Sequence, residues 1–282
     1  MSLVVRRSGL TGVLLAACLV GACVSPKWGA RAIVRPVRRP VNGRPSIPFR
    51  PFAFHSQGLR LKGWRFPTST QRRGVVVYLH GIADNRQSAI GIAQRLGPLG
   101  YDVIAYDGRA HGRSEGRFCT YGYYEKGDLV RALDALGERR VVLLGHSLGA
   151  AIALQAAAIE PRVIGVIAAS TFADLPSIVE DRAPWFVPES DVQAALRRAG
   201  EIARFIPSEA SPLLAAPHIH VPVALLHGGA DRETRPRHCW RVYDRLTCDK
   251  ELRIFKGIGH DEILGVPAVW VEIDAFLAHL PS

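Results

Sequence analysis

The sequence predicts an α/β fold, a mostly parallel sheet flanked by helices. Short apolar runs rich in β-branched residues recur along the chain, each long enough for one strand buried on both faces. Helix-like segments separate them, and that alternation builds parallel sheets. With 282 residues and a 48% apolar composition, the chain can bury one large core.

The elements follow in order. LRLKGWRF (59–66) reads as an early antiparallel strand. VVVYLH (75–80), DVIAYD (102–107), VVLLGH (141–146), VIGVIAAS (163–170), PVALLHG (222–228) and ELRIF (251–255) read as buried strands. Helices are expected over Arg86 to Pro98, Tyr123 to Leu136, Leu148 to Ile159, Pro236 to Leu246 and Pro267 to Leu280. Residues 172–217 break the rhythm, being too long for a plain crossover. Their apolar APWFVP (183–188) and helix-like AALRRAGEIARF (194–205) are expected to form a small cap, in which Trp185 can line an acyl pocket.

The chemistry concentrates at strand ends. In VVLLGHSLGAAIAL (141–154) Ser147 stands between two glycines, after a strand and before a helix. A serine on so sharp a turn needs small neighbours, and at a helix N-terminus it faces free N–H groups suited to developing negative charge. HGGADRETRP (227–236) and KGIGHDEIL (256–264) each follow a strand and carry Asp231 and His260. HGIADN (80–85) and YDGRAHGRSEG (106–116) close two earlier strands.

Together these stretches resemble the α/β-hydrolase family over residues 51–282, closest to its small esterase, thioesterase and acyl-peptidase-like branch. Ala110 departs from the family's segment, where glycine is usual. The resemblance implies a Ser147–His260–Asp231 triad in the family's chain order of nucleophile, acid and base. It also implies an oxyanion hole from the backbone N–H groups of Ile82 and Leu148. Asp261 and Glu262 adjoin the base but are poorly placed for its ring nitrogens, and Asp84 reads as a turn residue. His80 and His146 are expected to make structural hydrogen bonds, and Asp107 and His111 to hold their loop together. His227 has no evident partner. No cofactor is implied, and no Cys/His cluster has zinc-ligand spacing, so no metal is expected.

The net charge of +11 belongs mainly to one end. Nine of the 36 Lys and Arg lie in residues 1–50, which contain no Asp or Glu; the rest of the chain is nearly balanced. That distribution argues against a nucleic-acid-binding domain. Residues 1–23 read as an export signal: Arg6 and Arg7, then the apolar run Leu10 to Val20, too short for a comfortable span. Leu19-Val20-Gly21-Ala22-Cys23 resembles a bacterial lipobox, with Leu15 to Cys18 as a second match. This implies a lipid-anchored protein facing the periplasm or cell envelope, with plain secretion as the alternative. Residues 24–50 hold five prolines and seven cations and are expected to be a basic, extended linker. Cys119, Cys239 and Cys248 leave an odd count, with a Cys239–Cys248 bridge left open.

The function expected is hydrolysis of a carboxylic ester or thioester, on a small or lipid-like acyl substrate, through an acyl-enzyme. A peptidase of the same fold is the alternative, and a silent binding module a third reading. With no spare apolar stripe, the chain is expected to be a monomer.

Overall fold

The computed structural model describes residues 26–280. Eight strands form one sheet: β1 (Arg50–Ser56), β2 (Leu59–Phe66), β3 (Gly74–Leu79), β4 (Tyr101–Tyr106), β5 (Val141–His146), β6 (Val163–Ala169), β7 (Val223–Gly228) and β8 (Lys250–Phe255). Their spatial order is β1-β2-β4-β3-β5-β6-β7-β8, with the β1–β2 and β2–β4 pairs antiparallel and every other pair parallel. The α/β architecture is therefore the one the sequence predicts.

Helices cover both faces. On one lie α2 (Ala89–Leu96) and, at the end of the chain, α9 (Pro267–His279). On the other lie α1 (Pro26–Val34), α3 (Glu125–Leu136), α4 (Leu148–Ala157), α5 (Leu175–Arg182), α6 (Glu189–Ala203) and α8 (Arg237–Arg245), joined by the single turn α7 (Pro212–Ala215). Helix α4 is buried along almost its whole length because β5, just before it, is a central strand. The chain leaves β3 toward β4 on one side and reaches β5 on the other. Such a reversal opens a crevice at the carboxyl ends of the strands.

The segment expected as an extended linker over residues 24–50 is not extended throughout its described part. Residues 26–34 are helical, because Ala30, Ile33 and Val34 make an i, i+3, i+4 apolar stripe that packs along α6. The strap that follows is held by long-range bonds. Arg38 donates to the carbonyls of Gly112 (3.1 Å), His111 (3.3 Å), Gly116 (3.0 Å) and Ser114. Arg113 donates to Val41 O at 2.9 Å, and Val41 itself is buried. Residues 50–56, the end of that segment and the start of the domain, pair with β2 as an edge strand. The signal and lipobox positions 1–23 lie outside the described residues. Among the described residues, no helix is long and apolar enough to cross a membrane.

Between β6 and β7 stand α5, α6 and α7. Asp174 caps α5, its side chain accepting from Ser177 N at 2.7 Å. Trp185, expected to be able to line an acyl pocket, instead points outward and is 94% exposed, edge-on to Phe186. Cys119, Cys239 and Cys248 are all unbridged.

Candidate active site

The sheet brings four strand ends together. Ser147 follows β5 directly, with φ 54° and ψ −113°, a left-handed conformation that L-residues rarely adopt. Two glycines make that turn possible. A Cβ on Gly145 would lie 2.3 Å from Gly149 O, and one on Gly149 would lie 1.9 Å from Leu79 O. The turn is pulled onto the sheet by Ser147 N donating to Ala169 O at 2.8 Å.

His260 stands on the loop after β8 and Asp231 on the loop after β7. His260 Nε2 is 2.9 Å from Ser147 Oγ, and Nδ1 is 2.7 Å from Asp231 Oδ2. All three residues are buried. Asp231 Oδ1 accepts from the N–H groups of Glu233 (2.9 Å) and Thr234 (2.8 Å). Burial pushes this carboxyl's pKa up. Hydrogen bonds from His227 and His260, the His260 charge and the Thr234 N–H outweigh that and hold it well below the usual carboxylate range. The acid is thus ionised throughout the physiological range. A hydroxyl, an imidazole and a carboxylate so joined can pass the hydroxyl proton to the ring and stabilise the imidazolium that forms.

The remaining sequence candidates fall around this chain. The N–H groups of Ile82 and Leu148 have no backbone partner among the described residues; Leu148 opens α4 directly after Ser147, and Ile82 lines the same cavity as the serine. His80 receives the Gly108 N–H at Nε2 (3.0 Å) and donates from Nδ1 to Gly81 O (2.8 Å). His146 donates from Nε2 to His260 O at 3.0 Å, which fastens the loop carrying the imidazole. Burial, then the neighbouring His260, lowers its pKa. Asp107 binds the N–H groups of Arg86 (2.8 Å) and Arg113 (2.7 Å), together with the Arg86 guanidinium. His111 donates to Arg109 O at 2.9 Å, and burial, with His80 beside it, takes its pKa down to about 3. Both therefore shape their loop. Ala110, where glycine is usual, adopts φ 65°. Asp261 is exposed, and Glu262 accepts from Gly259 N at 2.8 Å.

One residue passed over in the sequence belongs to this constellation. His227 is fully buried behind Asp231, its Nε2 3.3 Å from Oδ2. The four-residue spacing to Asp231 was visible, but the other partner of His227 is a backbone carbonyl, which has no side-chain signature.

A cavity of about 870 Å³ opens over Ser147 and His260. Tyr78, Ile82, Ile92, Leu264 and Trp270 give it an apolar side, and Val37 and Arg39 of the strap also line it. Its size is that of a small-molecule site. Asp84 also lines it. Among the described residues, one group has metal-ligand proximity: His146, His260 and Asp261, within 4.8 Å of one another. It would draw on an imidazole whose two nitrogens already face Ser147 and Asp231.

A parallel-sheet α/β fold with a serine raised on a strand-to-helix turn defines a hydrolase-type scaffold. Residues 74–248 match the family described as alpha/beta hydrolase fold, and the chain belongs to that family. Among curated proteins it is 29% identical to Bacillus subtilis YqkD, an uncharacterized protein, over 72% of this chain and 70% of that one. It is 28% identical to mouse palmitoyl-protein thioesterase ABHD10, over 61% of this chain and 63% of the relative. Among solved structures, the Pyrococcus furiosus esterase Pf2001 superposes with a TM-score of 0.72 at 23% identity, covering 88% of this chain and 99% of the esterase. At that identity the likeness is one of fold.

Proposed function

We propose that this protein is a serine hydrolase that cleaves a carboxylic ester or thioester through an acyl-enzyme. The observation that carries the reading is the unbroken contact chain from Ser147 Oγ through His260 to Asp231, opening into the cavity. His260 takes the serine proton as Oγ attacks the acyl carbon, and returns it to the leaving alcohol or thiol. The N–H groups of Ile82 and Leu148 meet the oxyanion, each worth about 3 kcal/mol to the transition state. Water then repeats the sequence on the acyl-enzyme. The apolar side of the cavity suits an acyl chain, in keeping with an esterase and a thioesterase among the similar proteins.

A p-nitrophenyl ester series from acetyl to palmitoyl tests this reading, with Ser147→Ala in parallel. The expected result is a chain-length optimum in the wild type and a loss of at least about 10³-fold in kcat in a variant that still folds. Wild-type turnover in Ser147→Ala would overturn the reading. An inactive ester series with activity on aminoacyl amides would shift it to the peptidase alternative.

From residues 1–23 we further propose that the chain is exported and anchored to a cell-envelope membrane through Cys23 or Cys18, with plain secretion as the alternative. Mass spectrometry of the mature N-terminus is expected to show a lipidated cysteine. An N-terminus starting at Met1 would refute cleavage and lipidation at either cysteine.

A further inference from the structure

Behind the proposed acid lies a histidine that the reaction above does not use. His227 is the penultimate residue of β7, four residues before Asp231, and is wholly excluded from solvent. Its Nε2 is 2.8 Å from Thr234 O and 3.3 Å from Asp231 Oδ2. Both are acceptors, so Nε2 carries the proton. Nδ1 has no partner among the described residues. Leaving a buried ring nitrogen unpaired costs free energy that an aliphatic side chain of similar size would avoid. The position therefore keeps a polar group at some expense to stability, and the atoms that group reaches belong to the acid.

We infer that His227 is a positioning residue for the relay, acting through Asp231. The inference rests on the serine-hydrolase reading. One N–H does two things. It holds the Thr234 carbonyl, which fixes the turn whose Glu233 and Thr234 N–H groups fasten Oδ1. It also faces Oδ2, the oxygen that receives the His260 Nδ1 proton. With donors on both oxygens, the carboxylate is held in one orientation toward the imidazole.

The N–H also weakens the pull of Oδ2 on the imidazole. Without it the carboxylate attracts positive charge on the relay more strongly, so the acidic limb of kcat/KM moves up. Other charged or titratable groups face this pair. His146 packs against the His260 ring, Asp261 adjoins it, Asp84 lines the same cavity, and Arg232 and Glu233 flank Asp231 on its own loop. None of them changes when His227 is replaced.

Three substitutions separate positioning from packing. His227→Leu fills the space without an N–H, His227→Gln returns an amide N–H near the Nε2 position, and His227→Asn is one methylene too short to do so. Each is assayed for kcat and KM across pH, normalised to the folded fraction that a fluorophosphonate labels. Leu and Asn are expected to lose about tenfold in kcat with KM within about twofold, and their acidic limb to rise by about half a pH unit. Gln is expected to recover both to within about threefold of wild type. Should His227→Leu not fold, the Gln and Asn pair carries the test. A Leu profile superposed on the wild type, or Gln no better than Asn, would overturn the inference. Ser147→Ala in parallel keeps the two claims apart. Its full turnover would overturn the hydrolase reading and this inference with it, whereas its inactivity beside unaffected His227 variants would overturn this inference alone.

Discussion

The turn that carries Ser147 and the strap that walls the same cavity are held in opposite ways. The turn is local. Gly145, Ser147 and Gly149 lie within five residues, and the left-handed φ of Ser147 costs on the order of 1–3 kcal/mol that the central strand and α4 absorb. The strap is non-local. Its Arg38 reaches carbonyls more than seventy residues away, and Asn42 and Gln87 bridge another forty-five. The difference separates two tasks. The proposed nucleophile is fixed by backbone geometry that a short motif specifies, whereas the wall of the pocket is fixed by tertiary bonds that no motif records.

The largest effect is expected where the turn is broken. Gly149→Ala places a methyl 1.9 Å from the Leu79 carbonyl, a backbone atom of β3 that can retreat only by disturbing the sheet. Denaturant titration is expected to show a loss of about 3 kcal/mol, and the ester assay a drop of more than about 100-fold. Unchanged stability and turnover would mean that the contact between α4 and β3 is looser than the geometry requires.

What could be read in the sequence follows the same division. The seven strands read from apolar runs fall within a residue or so of β2 to β8. Strands β3 to β7 are buried on both faces, which needs an unbroken run, whereas β8, expected to be buried as well, is an edge strand with only half-buried and exposed positions. Ser147, Asp231 and His260 stood out as strand-end residues, and the sheet joins them within hydrogen-bond distance. Helices α1 and α5 and the edge strand β1 went unread. The stripe of α1 is only Ala30, Ile33 and Val34 amid prolines and arginines, and it is helical because α6 lies against it. Strand β1 mixes exposed and buried positions and owes its place to pairing with β2. His227 was visible as a residue but not as a part of the site, since Thr234 contributes only its carbonyl.

Breaking the strap is expected to do less to the fold and more to selectivity. Arg38→Ala removes four donations to carbonyls of the 111–116 loop. Partial exposure of Arg38 limits the cost, so the expected loss is about 2 kcal/mol in thermal or denaturant unfolding. Val37 and Arg39 then lose their seat on the cavity wall. Turnover of a long-chain ester is expected to change by about tenfold while that of an acetyl ester stays within about twofold, since Ser147 and His260 are untouched. Parallel losses on both esters would show that the strap supports the reacting groups themselves rather than only the wall.

The smallest effect sharpens the contrast between strain that serves a site and strain that does not. Arg204, at the C-terminal end of α6, has φ 55°, nearly the value at Ser147, but it is exposed and lies away from the cavity. Its N–H closes the helix on Gly200 O, the capping geometry that glycine adopts without a Cβ penalty. Its carbonyl accepts from Tyr124 Oη, and any residue supplies that acceptor. Relief of about 1 kcal/mol of left-handed strain, partly offset by glycine's greater freedom in the unfolded chain, leaves Arg204→Gly about 0.5 kcal/mol more stable. Denaturant titration can resolve the gain, and the ester assay is expected to match wild type. A change in kcat would mean that α6 transmits its end geometry to the site, because nothing else in the substitution touches the cavity.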